Sequence, residues 1–481
     1  MGTDNLLDIK EFAKFEEQER LFDREYAGIP YWQELRLSLC RFLVTDRTEE
    51  KTVAVKNRVS IYQRAKNLVY CGVKGIKGEF ALKKRTDTDV ILYRLHIGSH
   101  RFYDYWEMPE GISAIQITPS RAIEKNPPSG TIYLGLPDVV STITYRVQKI
   151  LHRTINDEKE FQFLKKLEHK IICRFGKCMT AEQMQESVQV YCNSRRIFQG
   201  YYSRFFDRLK PRAIVIAAYD CSIFHPVLNE AKKRGIKIIE LQHCLISNDY
   251  EYWFEDQRGT NNQTPDYMLL FGRIHETWAK LLKSTTCVSV GFPFQEHELK
   301  RFEDCEPDKK TVIVYPTSDK RFETVISEFV DRAEPLGYKV IVKVHPGAES
   351  NYLEVYYPLL STKSNLEIIT GQSKSIYYWI KRGKHHVMAN TTVGFEVAAV
   401  EGSNICIALN VNHGMMQPLL DMGVARGFKT ADELLELVLN PKEMDMSHKR
   451  ELWEENAKEN MERFFRQMQE QGWPDGVNYR Q

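Results

Sequence analysis

The sequence predicts an α/β protein with two doubly wound domains, each built on a parallel sheet. Three observations predict this fold class. Short apolar runs alternate with amphipathic ones in two consecutive series, a polar charged stretch at residues 301–310 separates the series, and 481 residues are too many for one ordinary domain. We therefore expect two Rossmann-like domains that face each other across a cleft.

Residues 1–50 are predicted to form a helical N-terminal segment. Apolar residues recur at helical spacing, and the stretch GIPYW at 28–32 interrupts them and begins a second helix. The apolar faces of these helices consist of Phe12, Phe15, Leu21, Phe22, Trp32, Leu35, Leu37 and Leu39.

Residues 51–300 are predicted to form the first Rossmann-like domain. A helix closed by Gly235 lies between two apolar runs, and strand, helix and strand at this spacing make a βαβ unit with parallel strands. The clearest predicted strands are 89–95, 213–219, 236–242, 266–272 and 287–291.

Residues 301–446 are predicted to form the second Rossmann-like domain, and residues 447–481 to hold a C-terminal helix, at about 447–471, that crosses back to brace the first domain. Trp453, Phe464 and Phe465 lie near one face of that helix. The predicted strands of the second domain are 311–316, 339–345, 366–370, 385–390 and 404–410.

Composition excludes several classes of protein. A net charge of +2 gives no overall field that attracts nucleic acid, and no run of about 18 apolar residues predicts a transmembrane helix. The ten cysteines form no CxxC pair, which argues against a structural zinc site and fits reduced thiols in a cytoplasm. The first twenty residues are acidic and polar, unlike a secretory signal, so we expect a cytoplasmic protein that does not bind nucleic acid.

Ligands of open α/β sheets bind at the carboxyl ends of the strands, so the residues there are the candidates for a site. In VIVKVHPG, His345 ends a predicted strand, and Pro346 stops the strand and stiffens the exit. The imidazole can donate to a phosphate, with Lys343 two residues earlier on the same face. The alternative is a strand-end histidine that a neighbouring loop satisfies.

A second candidate segment follows the predicted strand at 385–390. Thr391 and Thr392 stand at the start of an apolar helix, where hydroxyls and backbone N–H groups suit a phosphate, and Glu396 in the first turns can accept hydrogen bonds from a ribose. The alternative is an ordinary threonine N-cap.

These segments resemble known motifs. KVHPGAE, followed about 45 residues later by NTTVGFE, resembles the His-Pro and Ser/Thr motifs of bacterial capsule glycosyltransferases with the GT-B fold, among them sialyltransferases, polysialyltransferases and Kdo transferases. The resemblance implies that His345, Thr391 and Thr392 bind the donor nucleotide. RGIKIIELQHCLIS resembles the QHG strand end of surface-polysaccharide transferases, although Cys244 replaces the glycine.

The resemblance implies an inverting transferase, which needs a general base to deprotonate the acceptor hydroxyl. The acidic tripeptide of the sialyltransferases is absent, and Asp220, directly after a predicted strand, is the best-placed substitute. Its alternative role is a helix N-cap. His243 is the rival base, and Gln242 is a candidate for orienting the acceptor. TDTD at 86–89 is interpreted as a turn, so we expect neither a metal nor a cofactor.

The implied function is transfer of a hexose, sialic acid or Kdo from a nucleotide donor, a CMP-activated acidic sugar among the options, to a surface polysaccharide or lipid-linked glycan. The aromatic and basic stretch at 200–212 predicts contact with the inner membrane face or, as the favoured alternative, a helix with a basic outer face. Two other functions stay open: a CDP-polyol phosphotransferase of the teichoic-acid type, and a UDP-sugar 2-epimerase-like or non-catalytic carbohydrate-binding protein.

Overall fold

The structure is a computed structural model of the chain. It describes residues 9–44, 61–85, 88–94, 104–118, 130–150, 158–217, 219, 224–243, 264–279, 285–317, 319–345, 358–371, 374–442 and 446–472.

Two parallel sheets confirm the predicted fold class. The first has seven strands in the order β5-β4-β3-β6-β7-β8-β9, and the second has six in the order β12-β11-β10-β13-β14-β15. Neighbouring strands in both are parallel. Their bounds are β3 Val90–Tyr93, β4 Ala114–Thr118, β5 Ile132–Tyr133, β6 Ala213–Ile216, β7 Lys237–Leu241, β8 Tyr267–Leu270, β9 Thr286–Ser289, β10 Asp308–Val314, β11 Lys339–Lys343, β12 Leu366–Ile369, β13 Gly383–Met388, β14 Asn404–Ala408 and β15 Arg426–Phe428.

Helices pack on both sheets, and parallel strands need such crossover connections; in the described residues the helix His225–Lys233 connects β6 to β7 and the helix Lys320–Ala333 connects β10 to β11. Apolar residues from both faces are buried, so the sheets form the cores of the two domains. Within the described residues the α-helices are α1 Ile9–Gln18, α2 Trp32–Val44, α3 Ile61–Lys83, α4 Leu136–Ile150, α5 Glu158–Phe175, α6 Ala181–Leu209, α7 His225–Lys233, α8 Arg273–Ala279, α9 Pro293–Arg301, α10 Lys320–Ala333, α11 Pro358–Ser361, α12 Ile376–Arg382, α13 Val393–Val397, α14 Gln417–Asp421, α15 Ala431–Leu439, α16 Lys449–Leu452 and α17 Ala457–Gln471.

The N-terminal segment is helical, as expected, with a small addition. A two-stranded antiparallel hairpin, β1 Glu25–Tyr26 with β2 Ile29–Pro30, separates α1 from α2. Glu16 of α1 accepts a hydrogen bond from Trp32 Nε1 at 2.8 Å and lies 3.1 Å from Arg36 Nε. Glu16 and Arg36 are both buried, so this ion pair joins α1 to α2, and the apolar side chains of both helices pack on residues of α5 and α6.

The C-terminal helix braces the first domain, but it is shorter than the predicted 447–471. Asn456 has a left-handed backbone, with φ of 59°, and separates α16 from α17. In α17, Phe465 stacks on Trp106 at 5.1 Å and Phe464 meets Tyr267 edge-on at 5.6 Å. The helix therefore returns from the second domain to the first sheet.

Two glycines after strands of the first sheet allow this close return. A Cβ at Gly272, after β8, would lie 2.4 Å from Leu452 O, and one at Gly291, after β9, would lie 2.4 Å from Glu454 O. Gly291 also has φ of 90°. The backbone at 452–454 thus passes directly over the ends of β8 and β9.

Among the described helices, none combines the length and the apolar character that crossing a membrane requires.

Candidate functional site

The carboxyl edges of the two sheets meet at one junction. Gln242 follows β7 directly; its Oε1 accepts from Phe271 N at 2.8 Å, and its Nε2 lies 3.1 Å from His275 Nδ1. The His275 ring lies 6.3 Å from that of Phe395 in α13, which follows β13 of the second sheet. The end of β7 in the first sheet is therefore connected through His275 to the helix that follows β13 of the second sheet.

Trp453 packs and hydrogen-bonds at this junction. Its Nε1 donates to Phe395 O at 2.8 Å, and its ring stacks on Phe271 at 5.1 Å. One indole therefore contacts both domains. Burial lowers the pKa of His275 to about 3, so the ring is neutral when it meets Gln242.

Both polar atoms of the Gln242 amide have partners within the protein. It is 2% exposed and bridges the ends of β7 and β8 through Phe271 and His275. Gln242 therefore bonds within the junction, and its role in orienting an acceptor stays a prediction.

His243 lies beside a buried carboxylate that the sequence analysis missed. His243 Nδ1 is 3.7 Å from Glu240 Oε1, and the side chains are 16% and 1% exposed. Glu240 Oε2 also accepts from Tyr219 N at 3.4 Å. A carboxylate this close to an imidazole can orient the ring, so the pair is a candidate for a general base and its supporting group.

A signal for Glu240 is present in the sequence. It is the acidic residue in the apolar run IKIIEL, where a charge inside a buried strand needs a partner. Asp220, the other candidate base, lies outside the described residues. Its neighbour Tyr219 is fully buried after β6, next to β7 in the sheet.

On the donor side, His345 and Lys343 differ in exposure. His345 follows β11 and is exposed; Pro346 lies outside the described residues. Lys343 is 3% exposed, and its Nζ donates to Val344 O at 2.7 Å and Gly371 O at 3.1 Å. Burial lowers the Lys343 pKa. This ammonium ties the end of β11 to the turn after β12, while the imidazole points out of the core.

The helix start at Thr391 and Thr392 is already hydrogen-bonded. α13 has five residues; Val393 N donates to Thr391 Oγ1 at 3.4 Å and Gly394 N to Thr391 O at 3.2 Å. The Thr392 side chain makes no cap hydrogen bond. A phosphate at this place would therefore meet the threonine hydroxyls first, with little help from the N–H groups of so short a helix.

Glu396 lies near the end of β10. Burial and then the negative charge of Glu396 raise the pKa of Tyr315, which follows that strand, and Tyr315 Oη is 3.1 Å from His386 Nδ1. Because β10 lies between β11 and β13, the strand ends that carry His345 and Thr391 are about 10 Å apart. The candidate donor residues thus lie along the ends of three neighbouring strands. The distance between them is larger than a single phosphate group.

Asp89, the last residue of the turn predicted at 86–89, bonds to the residue before β4. Asp89 Oδ2 accepts from Ser113 N and Oγ, both at 2.9 Å, which fits the turn predicted at 86–89; Thr86 and Asp87 lie outside the described residues.

Across the described ranges, no group of three or more His, Cys, Asp or Glu side chains is placed to hold a metal ion.

The stretch at 200–212 ends α6 and leads into β6. Its aromatic side chains Tyr202, Phe205 and Phe206 are buried in the core of the first domain, while Arg204 and Lys210 are exposed. The favoured interpretation, a helix with a basic outer face, fits this arrangement.

No family model matches the sequence, and no curated protein does. Solved structures similar in backbone path include the UDP-GlcNAc 2-epimerase of Methanocaldococcus jannaschii, with 11% identity, TM-score 0.48, and coverage of 80% of this chain and 99% of that one. The Neisseria meningitidis UDP-GlcNAc 2-epimerase bound to UDP-GlcNAc has 9% identity, TM-score 0.47, and coverage of 80% and 98%. A glycosyltransferase from Rickettsia africae has 7% identity, TM-score 0.40, and coverage of 81% and 98%.

Proposed function

We propose that the protein is an inverting, metal-independent glycosyltransferase that uses a nucleotide-sugar donor. The observation that carries the proposal is the junction at which Gln242, His275 and Phe395 bring the carboxyl edges of both sheets together. Parallel α/β sheets bind ligands at these edges, and two such edges in contact can hold donor and acceptor next to each other.

In the proposed reaction, His243 takes the proton from the acceptor hydroxyl while Glu240 orients the ring and stabilises the imidazolium. The acceptor oxygen forms a bond to the anomeric carbon as the bond to the donor phosphate breaks. The nucleotide leaves with the negative charge, which hydrogen bonds from His345 and Thr392 stabilise without a metal ion. Asp220 is the rival base.

The resemblance of the His-Pro and Thr-Thr segments supports the finer proposal. It assigns transfer of a hexose, sialic acid or Kdo, with a CMP-activated acidic sugar among the donors, to a growing surface polysaccharide or glycolipid. We place this reaction in the cytoplasm at the inner face of the membrane, where lipid-linked acceptors are available.

The test begins with thermal unfolding of the protein in CMP, CDP, UDP and GDP. A nucleotide at 100 times its dissociation constant should raise the free energy of unfolding by about 2.7 kcal/mol. The matching nucleotide sugars are then incubated with and without glycan acceptors, and products are analysed by mass spectrometry.

Sugar transfer that needs an acceptor supports the proposal. Three results contradict it: no stabilisation by any nucleotide, epimerisation of the sugar nucleotide without an acceptor, or transfer of a polyol phosphate from a CDP donor. The second and third results would establish the alternative functions instead.

A further inference from the structure

A cavity of about 690 Å³ lies in the helical layer of the first domain and shares no residue with the junction site. Residues of α2, α4, α6 and α7 line it, and seven of them carry hydroxyl groups. Such a volume suits a small organic ligand. The hydroxyl-bearing residues are Ser38, Ser141, Thr142, Tyr145, Ser187, Tyr191 and Ser194.

Arg195 supplies a positive charge to this cavity. The side chain is 4% exposed, and Nη1 donates to Tyr191 Oη. Its buried Nε has no hydrogen-bond partner, and within the described residues no carboxylate lies within 4.0 Å of the guanidinium. A buried guanidinium is costly without an anion, and its planar edge matches a carboxylate or phosphate with two parallel hydrogen bonds.

Glu34 and Glu230 attract Arg195 electrostatically without forming an ion pair with it. Burial lowers its pKa to about 10, and the charges of Glu34 and Glu230 oppose that change, so the group stays charged at neutral pH. Glu34 also lines the cavity, but its Oε2 lies 3.7 Å from His225 Nδ1. Its carboxylate can accept hydrogen bonds from ligand hydroxyls.

We propose that this cavity binds an acidic sugar, with its carboxylate or phosphate on Arg195 and its hydroxyls on Glu34 and Ser141. A guanidinium surrounded by hydroxyl groups recognises a ligand that carries one anionic group and several hydroxyls. The site does not depend on the proposed transferase activity, because its residues are separate from those of the junction.

The test uses ligand-observed NMR titration of the full chain with glucuronate, glucose 6-phosphate, glucose and inorganic phosphate. The parent is expected to bind one or both acidic sugars, at least tenfold tighter than glucose or inorganic phosphate. Arg195→Met should weaken that binding at least tenfold, and Arg195→Lys less. Arg204→Met is the matched control, because Arg204 is an exposed residue of the same helix.

Thr142→Trp is a second variant, which fills the cavity and keeps the guanidinium, so it decides the test if Arg195→Met does not fold. It should also abolish binding. No binding of either acidic sugar to the parent overturns the proposal, as does binding that Arg195→Met or Thr142→Trp leaves unchanged. Glucose 6-phosphate in preference to glucuronate would identify the anion as phosphate.

A different observation concerns the outer surface of the same domain. α3 and α4 pack together and expose a row of large apolar side chains that we call the α3–α4 face. On α3 the spacing of these residues follows one side of the helix. The α3–α4 face consists of Val69, Val73, Ile76, Phe80, Val140, Ile143 and Val147, which are 47–67% exposed.

Two glycines on the opposite side of α3 fix the orientation of this helix. A Cβ at Gly78 would lie within 3.0 Å of the Tyr133 carbonyl carbon, and one at Gly75 would lie 2.7 Å from Leu136 N. The glycine side therefore packs against the chain around β5, and the apolar side must face outward.

The charge of the residues on α3 indicates which kind of surface this helix can bind. Residues 66–85 contain six lysines and arginines and one acidic residue, Glu79, whose carboxylate accepts from Tyr201 Oη. An apolar stripe flanked by lysines suits a helix that lies flat in an anionic lipid interface. Two copies of the chain on this face would bring like charges together, which disfavours a dimer.

We infer that the α3–α4 face docks on an anionic lipid bilayer. The test is co-sedimentation with phosphatidylglycerol-containing vesicles and with pure phosphatidylcholine vesicles, and it requires no enzymatic activity. The parent should sediment with the anionic vesicles and less so in high salt. Val73→Asn with Phe80→Asn, or Lys77→Glu, should reduce the bound fraction severalfold.

Matched controls separate docking from general surface effects. Leu336→Asn with Leu439→Asn removes apolar residues that are 44% and 47% exposed elsewhere, and Lys442→Glu alters a distant exposed lysine. Equal losses in variants and controls overturn the inference, as does a parent that ignores anionic vesicles. A dimer in light scattering that Phe80→Asn dissociates would assign the face to a second copy.

Discussion

Replacing Trp453 tests whether the junction holds the two domains as one cooperative unit. Trp453 is 5% exposed, stacks on Phe271 of the first domain at 5.1 Å and donates to Phe395 O of the second at 2.8 Å. Trp453→Phe keeps a ring and loses the hydrogen bond together with part of the packing. The expected cost is about 1–3 kcal/mol in the free energy of unfolding.

Trp453→Ala removes the ring as well, and truncations of this kind in cores cost about 3–5 kcal/mol. Because the lost contacts join the domains, we expect two separate transitions in urea where the parent shows one. Equilibrium unfolding, followed by tryptophan fluorescence and by far-UV circular dichroism, measures both effects.

Trp379→Phe is the matched control. Trp379 is 7% exposed within the second domain, and its buried Nε1 has no hydrogen-bond partner, so the smaller ring should cost less than about 1 kcal/mol. Equal costs for Trp453→Phe and Trp379→Phe would refute the role of the hydrogen bond to Phe395. A single transition for Trp453→Ala that coincides by both probes would refute the coupling of the domains.

Three further predictions address the proposed site. His243→Ala and Glu240→Gln should lower transfer, the former by about 10²–10⁴-fold, with unchanged stabilisation by the nucleotide; loss of transfer in Asp220→Asn alone would move the base there. His345→Ala should weaken nucleotide binding by about 1.5–3 kcal/mol in calorimetric titration, and parent-like affinity would remove His345 from the donor site. Burial holds the pKa of His275 near 3, below its ordinary 6.5, so its contribution to stability is full above pH 6.5 and is lost as the pH falls towards 3. In urea unfolding between pH 6.5 and 5, His275→Gln should reduce the slope of stability against pH by up to about 1.4 kcal/mol per unit, and an unchanged slope would contradict this.

The central strands were predictable because they are short apolar runs buried on both faces. The structure places β6 and β7 inside the runs predicted at 213–219 and 236–242, with each run extending past the carboxyl end of its strand. The edge strands β5 and β15 have two and three residues, so they offer too little pattern to detect.

The C-terminal segment shows a different limit. Phe464 and Phe465 lie on the buried face of α17 as predicted, whereas Trp453 is buried but lies between α16 and α17, outside both helices. The helix break at Asn456 was not predicted, because asparagine is tolerated within a helical pattern and only the structure shows its left-handed backbone.

For the site, the sequence alone shows which residues stand at the strand ends. The apolar pattern locates the strands, and parallel strands share a carboxyl edge. The sequence could not determine what each side chain does there. Lys343 bonds to backbone carbonyls at 344 and 371, and Gln242 bridges two strand ends. These roles depend on partners up to 33 residues away, and only the packed sheets bring the partners within hydrogen-bond distance. Tertiary structure alone decided which strand-end side chains bond to other parts of the protein, because a buried polar group takes whichever partner the fold places beside it.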